Sequence, residues 1–204
     1  TLPTAEERTE EKSSIQLADL VGAPADDPRF DELAAQLTLD ELIELVNFGG
    51  FNSRGVSYIG KPYSRDTDGP KGWTGNYTDT NDRFNYFCSE PMIASTFNKD
   101  LAEEYGEVMG NYSLWANLTI YWGAATNIHR SCYNARNHEY YSEDAMLSNY
   151  MAANFIKGGN KFGLINAVKH FAFNDTEINR SGVSVFVTEQ QARENELRCY
   201  QSSI

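Results

Sequence analysis

Short apolar runs that end in charged loops, separated by amphipathic helical stretches, constrain this chain most. Leu118 to Trp122 is such a run, as is Leu164 to Val168; Met92-Ile93-Ala94 and Val183 to Val187 read the same way. Between them Asn98 caps a helix carrying Leu101, Tyr105, Val108 and Met109. Ser142 caps another, with Glu143 and Asp144 in its first turn, where the helix dipole favours negative charge. Ala145, Met146, Tyr150, Met151 and Phe155 line that helix and Gly158-Gly159 ends it. Thr188 to Gln191 reads as a capping box opening a last helix that runs to the chain end. Strands of this length alternating with helices predict an α/β fold with parallel strand pairing.

The N-terminal part reads differently. Residues 1–26 are polar and include the run EERTEEK, which predicts a solvated arm. Asp27-Pro28 is a helix-start signal, with Phe30, Leu33, Ala34 and Leu37 on one face. Thr38 to Glu41 is a capping box whose helix carries Leu39, Leu42, Ile43 and Val46 and ends at Gly49-Gly50. From Gly49 to Cys88 the composition is that of loops, and only Ser57-Tyr58-Ile59 hints at a strand. So long a connection is usually functional or disordered. Its aromatic residues (Phe51, Tyr58, Tyr63, Trp73, Tyr77, Phe84, Tyr86 and Phe87) predict an ordered, ligand-facing region.

Charge and cysteine usage exclude several functions. A formal net charge of −12 over 204 residues argues against nucleic acid and anionic membrane as partners. No run approaches the roughly 20 apolar residues that span a bilayer. Cys88, Cys132 and Cys199 are far apart and form no C-x-x-C, so neither a disulfide framework nor a zinc site is expected. That usage, with the polar opening residues, points towards the cytoplasm. There are too few β/α pairs for a closed barrel, which needs eight and about 250 residues. The reading is therefore a polar arm over 1–26 and, over 27–204, part of a (β/α)8 TIM-barrel-like domain cut before its end.

Polar residues collect in three places: Arg65-Asp66-Thr67-Asp68-Gly69-Pro70; Asn127-Ile128-His129-Arg130 through Arg136 to Asp144; and Lys169-His170-Phe171 through Asn174-Asp175 to Arg180. The second and third follow expected strands. In a parallel α/β barrel such loops share one rim, where their side chains converge. Asp-Gly-Pro alone is a common turn, Arg136 and Glu139 alone a structural ion pair, and His129 a satisfied core histidine. Lys169-His170 is costlier to explain that way, because adjacent titratable groups at a strand end are expensive if buried unpaired. Lys and His donors facing an Asp acceptor suit a row of sugar hydroxyls. His129, His138 and His170 lack metal-ligand spacing, and no nucleophile elbow or phosphate loop occurs, so no metal or cofactor is expected.

With these segments in this order, residues 28–203 resemble glycoside hydrolase family 3, the family of β-glucosidases and related exo-acting enzymes. The resemblance implies a (β/α)8-type barrel and a retaining, double-displacement hydrolysis of β-linked glucosides or short oligosaccharides. It implies that Asp68, Arg136, Lys169 and His170 grip the non-reducing glucose in the −1 subsite, with Arg65 and Glu139 supporting them. Ser131–Ala135 and Thr74 depart from the family pattern, while Ala172-Phe173-Asn174-Asp175 favours the β-glucosidase branch. The family's nucleophile is an Asp beside Ser and an aromatic residue. No such triplet occurs here, so the nucleophile is expected beyond Ile204 and the acid/base Glu on another domain. No catalytic residue is assigned to this chain, which is expected to be inactive alone and to need the rest of its polypeptide or a complementary chain. A non-catalytic carbohydrate-binding or assembly module is the alternative.

Overall fold

The computed structural model describes residues 13–47, 51–69, 71–74 and 85–204. The EERTEEK run, the Gly49-Gly50 helix end, Pro70, Tyr77 and Phe84 lie outside the described residues. The chain divides into two compact units, Thr1–Arg65 and Asp66–Ile204.

In the first unit a 3-10 turn over Leu17–Leu20 precedes α1 (Arg29–Ala35) and α2 (Leu39–Asn47). Leu20 is therefore buried within the stretch read as a polar arm. The Asp27 carboxylate accepts from the Arg29 backbone N–H at 2.9 Å, so α1 starts just after Pro28. The Thr38–Glu41 capping box forms as read: the Thr38 N–H donates to Glu41 Oε2 at 2.9 Å and the Glu41 N–H to Thr38 Oγ1 at 3.2 Å. Leu33, Leu37, Val56 and Ile59 join Leu20 in a small core, with Phe30, Leu42 and Leu45 against it. The buried side of α2 thus runs through Leu42 and Leu45, and Leu39, Ile43 and Val46 are exposed, a rotation from the expected face. Ser57–Ile59 is a 3-10 turn, not a strand. Strands β1 (Asn52–Ser53) and β2 (Ser64–Thr67) flank it, Asn52 pairing antiparallel with Arg65.

In the second unit the last residues of β2 pair in parallel with β3 (Ile120–Tyr121), and β3 with β4 (Ile165–Asn166). The ladder continues past the strands: the Trp122 N–H donates to Thr67 O and the Thr126 N–H to Lys169 O, each at 2.8 Å. Parallel pairing puts the C-terminal ends of β2, β3 and β4 on one edge, so Asp68, the loop after Trp122 and Lys169-His170 all leave from the same side.

Met92-Ile93-Ala94 belongs to a short helix, α3 (Glu90–Ala94), and not to a strand. Ser89 ahead of it and Pro91 in its first turn are the reason. Asn98 caps α4 (Lys99–Ala116), accepting from the Asp100 and Leu101 N–H groups. α5 (Ala145–Asn160) starts two residues later than expected: Asp144 is its N-cap and accepts from the Leu147 N–H at 2.7 Å. α4 and α5 pack through Tyr105, Met109, Met151 and Phe155, with the Tyr105 and Phe155 rings 5.4 Å apart. Val108 and Leu101 point away from this core, and Ala102, Gly106 and Gly110 face it. Gly158 and Gly159 do not end α5. They lie within it as contact residues: a Cβ at Gly158 would collide with the Glu103 carbonyl, and one at Gly106 with that of Phe155. Lys157 and Lys161 pair with Glu103 along the exposed side of this seam.

Val183 to Val187 forms no strand, and Phe186 there is 83% exposed. Thr188 caps α6 (Glu189–Gln191) as expected, but the helix then widens into a π turn over Ala192–Glu196 and tightens into a 3-10 turn over Arg198–Tyr200. These changes of winding bury Cys199 and Tyr200 beside Ile128 and Ala145. The three cysteines are free thiols, and no helix among the described residues is long and apolar enough to cross a membrane.

Candidate functional site

Asp68 follows β2 directly. Its carboxylate accepts from the Gly69 N–H at 2.8 Å, and its carbonyl accepts from the Thr74 N–H and hydroxyl. Gly69 has φ +124°, a conformation only glycine adopts without strain, so the turn that aims Asp68 depends on it. Lys169 follows β4 and donates to Asp68 Oδ1 at 2.5 Å. Its Nζ also lies 3.3 Å from Oε2 of Glu139, which sits on the 3-10 turn Asn137–Glu139 in the loop after β3.

Glu139 is buried and bonds Arg136 through its other oxygen, and Arg136 donates onward to Glu177 Oε1 at 2.8 Å. Burial works against the Arg136 charge, but the hydrogen bonds to Glu139 and Glu177 outweigh it and hold the guanidinium above its ordinary range. Burial likewise works against the Glu177 charge, and Arg136 outweighs it, leaving that carboxyl below its usual range.

His170 is fixed from its backbone and its ring. Its N–H donates to Asn127 Oδ1 at 2.6 Å, and its carbonyl accepts from Asn127 Nδ2 at 3.2 Å. Its Nδ1 lies 3.0 Å from the Tyr140 hydroxyl, which accepts from Asn174 Nδ2 at 2.6 Å. The Tyr140 hydroxyl thus holds the ring through Nδ1 and leaves Nε2 as the other ring nitrogen. Burial, then the Arg136 and Lys169 charges, push the His170 ring down to about 4, so it is neutral at pH 7. The Lys169–His170 peptide bond is cis.

Of the residues read from the sequence, Asp68, Arg136, Glu139 and Lys169 form one connected cluster, with His170 next in chain to Lys169. Arg65 lies in the first unit, its backbone in register with Asn52. His129 is the satisfied histidine expected, its Nε2 2.8 Å from the Tyr140 carbonyl. Asn127, Tyr140, Asn174 and Glu177 carry positioning roles that the residue-by-residue reading did not assign, although all four lie in the second and third polar segments. Among the described residues no group of three His, Cys, Asp or Glu side chains is placed to hold a metal ion.

The cluster presents Lys169 and Arg136 N–H groups and the Asp68 and Glu139 carboxylates, with the His170 imidazole alongside, within a partly buried site. Such a set can hold a row of vicinal hydroxyls, with a carboxylate accepting from two neighbours while cations and the ring donate to others.

The sequence profile of the glycosyl hydrolase family 3 N-terminal domain matches residues 73–204. A β-glucosidase of Kluyveromyces marxianus is 32% identical over 165 residues, which cover 80% of this chain and 20% of that protein. β-Glucosidase A of Butyrivibrio fibrisolvens is 32% identical over 183 residues, covering 84% and 21%. Among solved structures, β-glucosidase 3B from Thermotoga neapolitana in complex with glucose aligns with a TM-score of 0.75 at 35% identity, covering 85% of this chain and 27% of that one. The Kluyveromyces marxianus enzyme in complex with glucose aligns with a TM-score of 0.78 at 30% identity, covering 85% and 21%. The chain therefore spans about a fifth of the length of its curated relatives.

Proposed function

The chain belongs to glycoside hydrolase family 3, and on that premise we propose that Asp68, Arg136, Lys169 and His170 form the pocket that grips the terminal glucose of a β-glucoside. The parent activity is retaining, exo-acting hydrolysis, and this chain's share of it is binding. The observation that carries the reading is the Asp68–Lys169 pair, made across two strand ends with a neutral His170 beside it. The pair gives a sugar hydroxyl both an acceptor and a charged donor. His170 adds a neutral ring nitrogen that does not titrate near neutral pH.

The carboxylates of the cluster support binding over chemistry. Asp68 is engaged by Lys169, Glu139 by Arg136 and Lys169, and Glu177 by Arg136 and Arg180. A double displacement needs two carboxyls about 5–5.5 Å apart, one free to attack and one to transfer a proton; in this reading both come from outside the chain. The three free thiols support a reducing compartment such as the cytoplasm.

Titrating the chain with glucose, followed by calorimetry and thermal unfolding, tests this. Saturation at ten times Kd stabilises a competent site by about 1.4 kcal/mol. Asp68→Ala abolishes the heat of binding, and neither form turns over a chromogenic β-glucoside. Failure of glucose to bind overturns the reading of the site, and turnover by the chain alone overturns the assignment of chemistry elsewhere.

A further inference from the structure

One buried carboxyl group has no part in the contacts described so far. Glu90 opens α3 and is 3% exposed. Its Oε1 receives the Tyr121 hydroxyl at a long 3.5 Å, and its Oε2 is buried with no hydrogen-bond partner among the described residues. Leaving a buried acid half unsatisfied is costly, and an apolar side chain of similar volume avoids that cost. α3 packs against the Asn137–Glu139 turn, and the groups that act on Glu90 electrostatically are the buried Tyr105, Tyr121 and Tyr141 on one hand and the site residues Glu139 and Lys169 on the other.

We propose that Glu90 is a positioning residue for the sugar-gripping cluster, setting the balance of Lys169 between Asp68 and Glu139. Lys169 already serves two carboxylates. A neutral acid near them leaves that division intact. A third negative charge there repels Glu139 and draws Nζ inward, away from Asp68 and from the sugar. Burial is the largest influence on Glu90 and the Glu139 charge adds to it, while its own backbone N–H and Lys169 oppose; the carboxyl stands well above its ordinary range. Glu90 is thus held toward its neutral form, and its ionisation is displaced to higher pH than that of an ordinary carboxyl. Burial also raises the three facing tyrosines, so they do not ionise in its place near neutrality.

The inference rests on the glucose pocket proposed above, and the test separates the two. Glucose affinity is measured by calorimetry from pH 6 to pH 10 for the unsubstituted chain, Glu90→Gln and Glu90→Met, with near-ultraviolet circular dichroism to confirm folding. The expected result is an affinity that weakens at least tenfold on the alkaline side in the unsubstituted chain. Glu90→Gln, which cannot ionise, loses the alkaline fall. Glu90→Met loses it too, so either folded variant decides the matter. If neither variant folds, the carboxyl carbon resonance of Glu90 in the unsubstituted chain must titrate together with the loss of affinity. Superimposable pH profiles, or a Glu90 resonance that does not move where affinity is lost, overturn the proposal and leave the glucose pocket standing. No glucose binding by the unsubstituted chain at any pH overturns both.

Discussion

Removing the charge of Glu139 tests the central arrangement of the site. Its side chain is 4% exposed and faces two cations, Arg136 through one oxygen and Lys169 at 3.3 Å through the other. At an effective dielectric of 20, a charge pair at that distance attracts by about 5 kcal/mol before desolvation. Losing one partner of a buried pair costs about 3–5 kcal/mol when the other charge is left alone. Neither cation is left alone here, because Lys169 keeps Asp68 and Arg136 keeps Glu177. The expected cost of Glu139→Gln is therefore lower, about 2–3 kcal/mol, the scale of one hydrogen bond between charged groups. Urea unfolding followed by tryptophan fluorescence measures it, since Trp73, Trp115 and Trp122 all lie in the second unit and report that unit alone. A double-mutant cycle with Lys169→Met isolates the pair, with an expected coupling of about 1–2 kcal/mol. Coupling below about 0.5 kcal/mol would refute the claim that Glu139 holds Lys169 electrostatically.

The stability of the second unit falls as pH drops from 6.5 to about 4. Over that range the unfolded chain takes up the proton that folded His170 refuses. The partly solvated ring limits the loss to about 1–2 kcal/mol, and His170→Asn flattens the slope of urea midpoint against pH. Gly158→Ala drives a methyl group into the Glu103 carbonyl and costs about 2–3 kcal/mol, read by the same fluorescence. The ordinary gain from Gly→Ala in a helix, about 0.5–1 kcal/mol, would contradict the close α4–α5 seam. Thr38→Ala removes half of a capping box in the first unit, costs about 1 kcal/mol there, and speeds amide exchange along α2 while leaving tryptophan fluorescence unchanged.

Sequence reading succeeded where a local signal fixes a local structure. Thr38 and Glu41, Asn98, and Thr188 with Gln191 each advertise a helix start through hydrogen bonds within four residues, and each forms. It failed where neighbours far along the chain decide. Ser64–Thr67 has no apolar pattern, and its second half becomes a strand because β3 supplies the ladder. Val183 to Val187 has the pattern and no ladder. Gly158-Gly159 reads as a stop signal, yet its small size serves a helix that approaches from elsewhere. At the candidate site, Lys169-His170 stood out as charge at a strand end, whereas Asp68 and Arg136 alone read as a turn and an ion pair and were singled out through the family resemblance. Asn127, Tyr140 and Asn174 did not stand out, since neutral residues that orient an imidazole leave no mark on charge or periodicity. Glu90 was hidden for a further reason: an acid in a helix's first turn is ordinary until its burial is known.

Two of the three segments that carry the candidate pocket, the loops after β3 and β4, are stitched together by their own side chains. Arg130 reaches Asp175 and the Phe186 carbonyl, Asn134 reaches the Asn174 carbonyl, and Arg136 reaches Glu177. Holding flexible loops still is a main entropic cost of gripping a small polar ligand. Here the fold has already met it, so glucose binding should be driven by enthalpy, with backbone order parameters along residues 127–142 and 169–180 alike in the empty and occupied states. The same stitching ties the fates of the loops: a change in length of one is tolerated only with a matching change in the other.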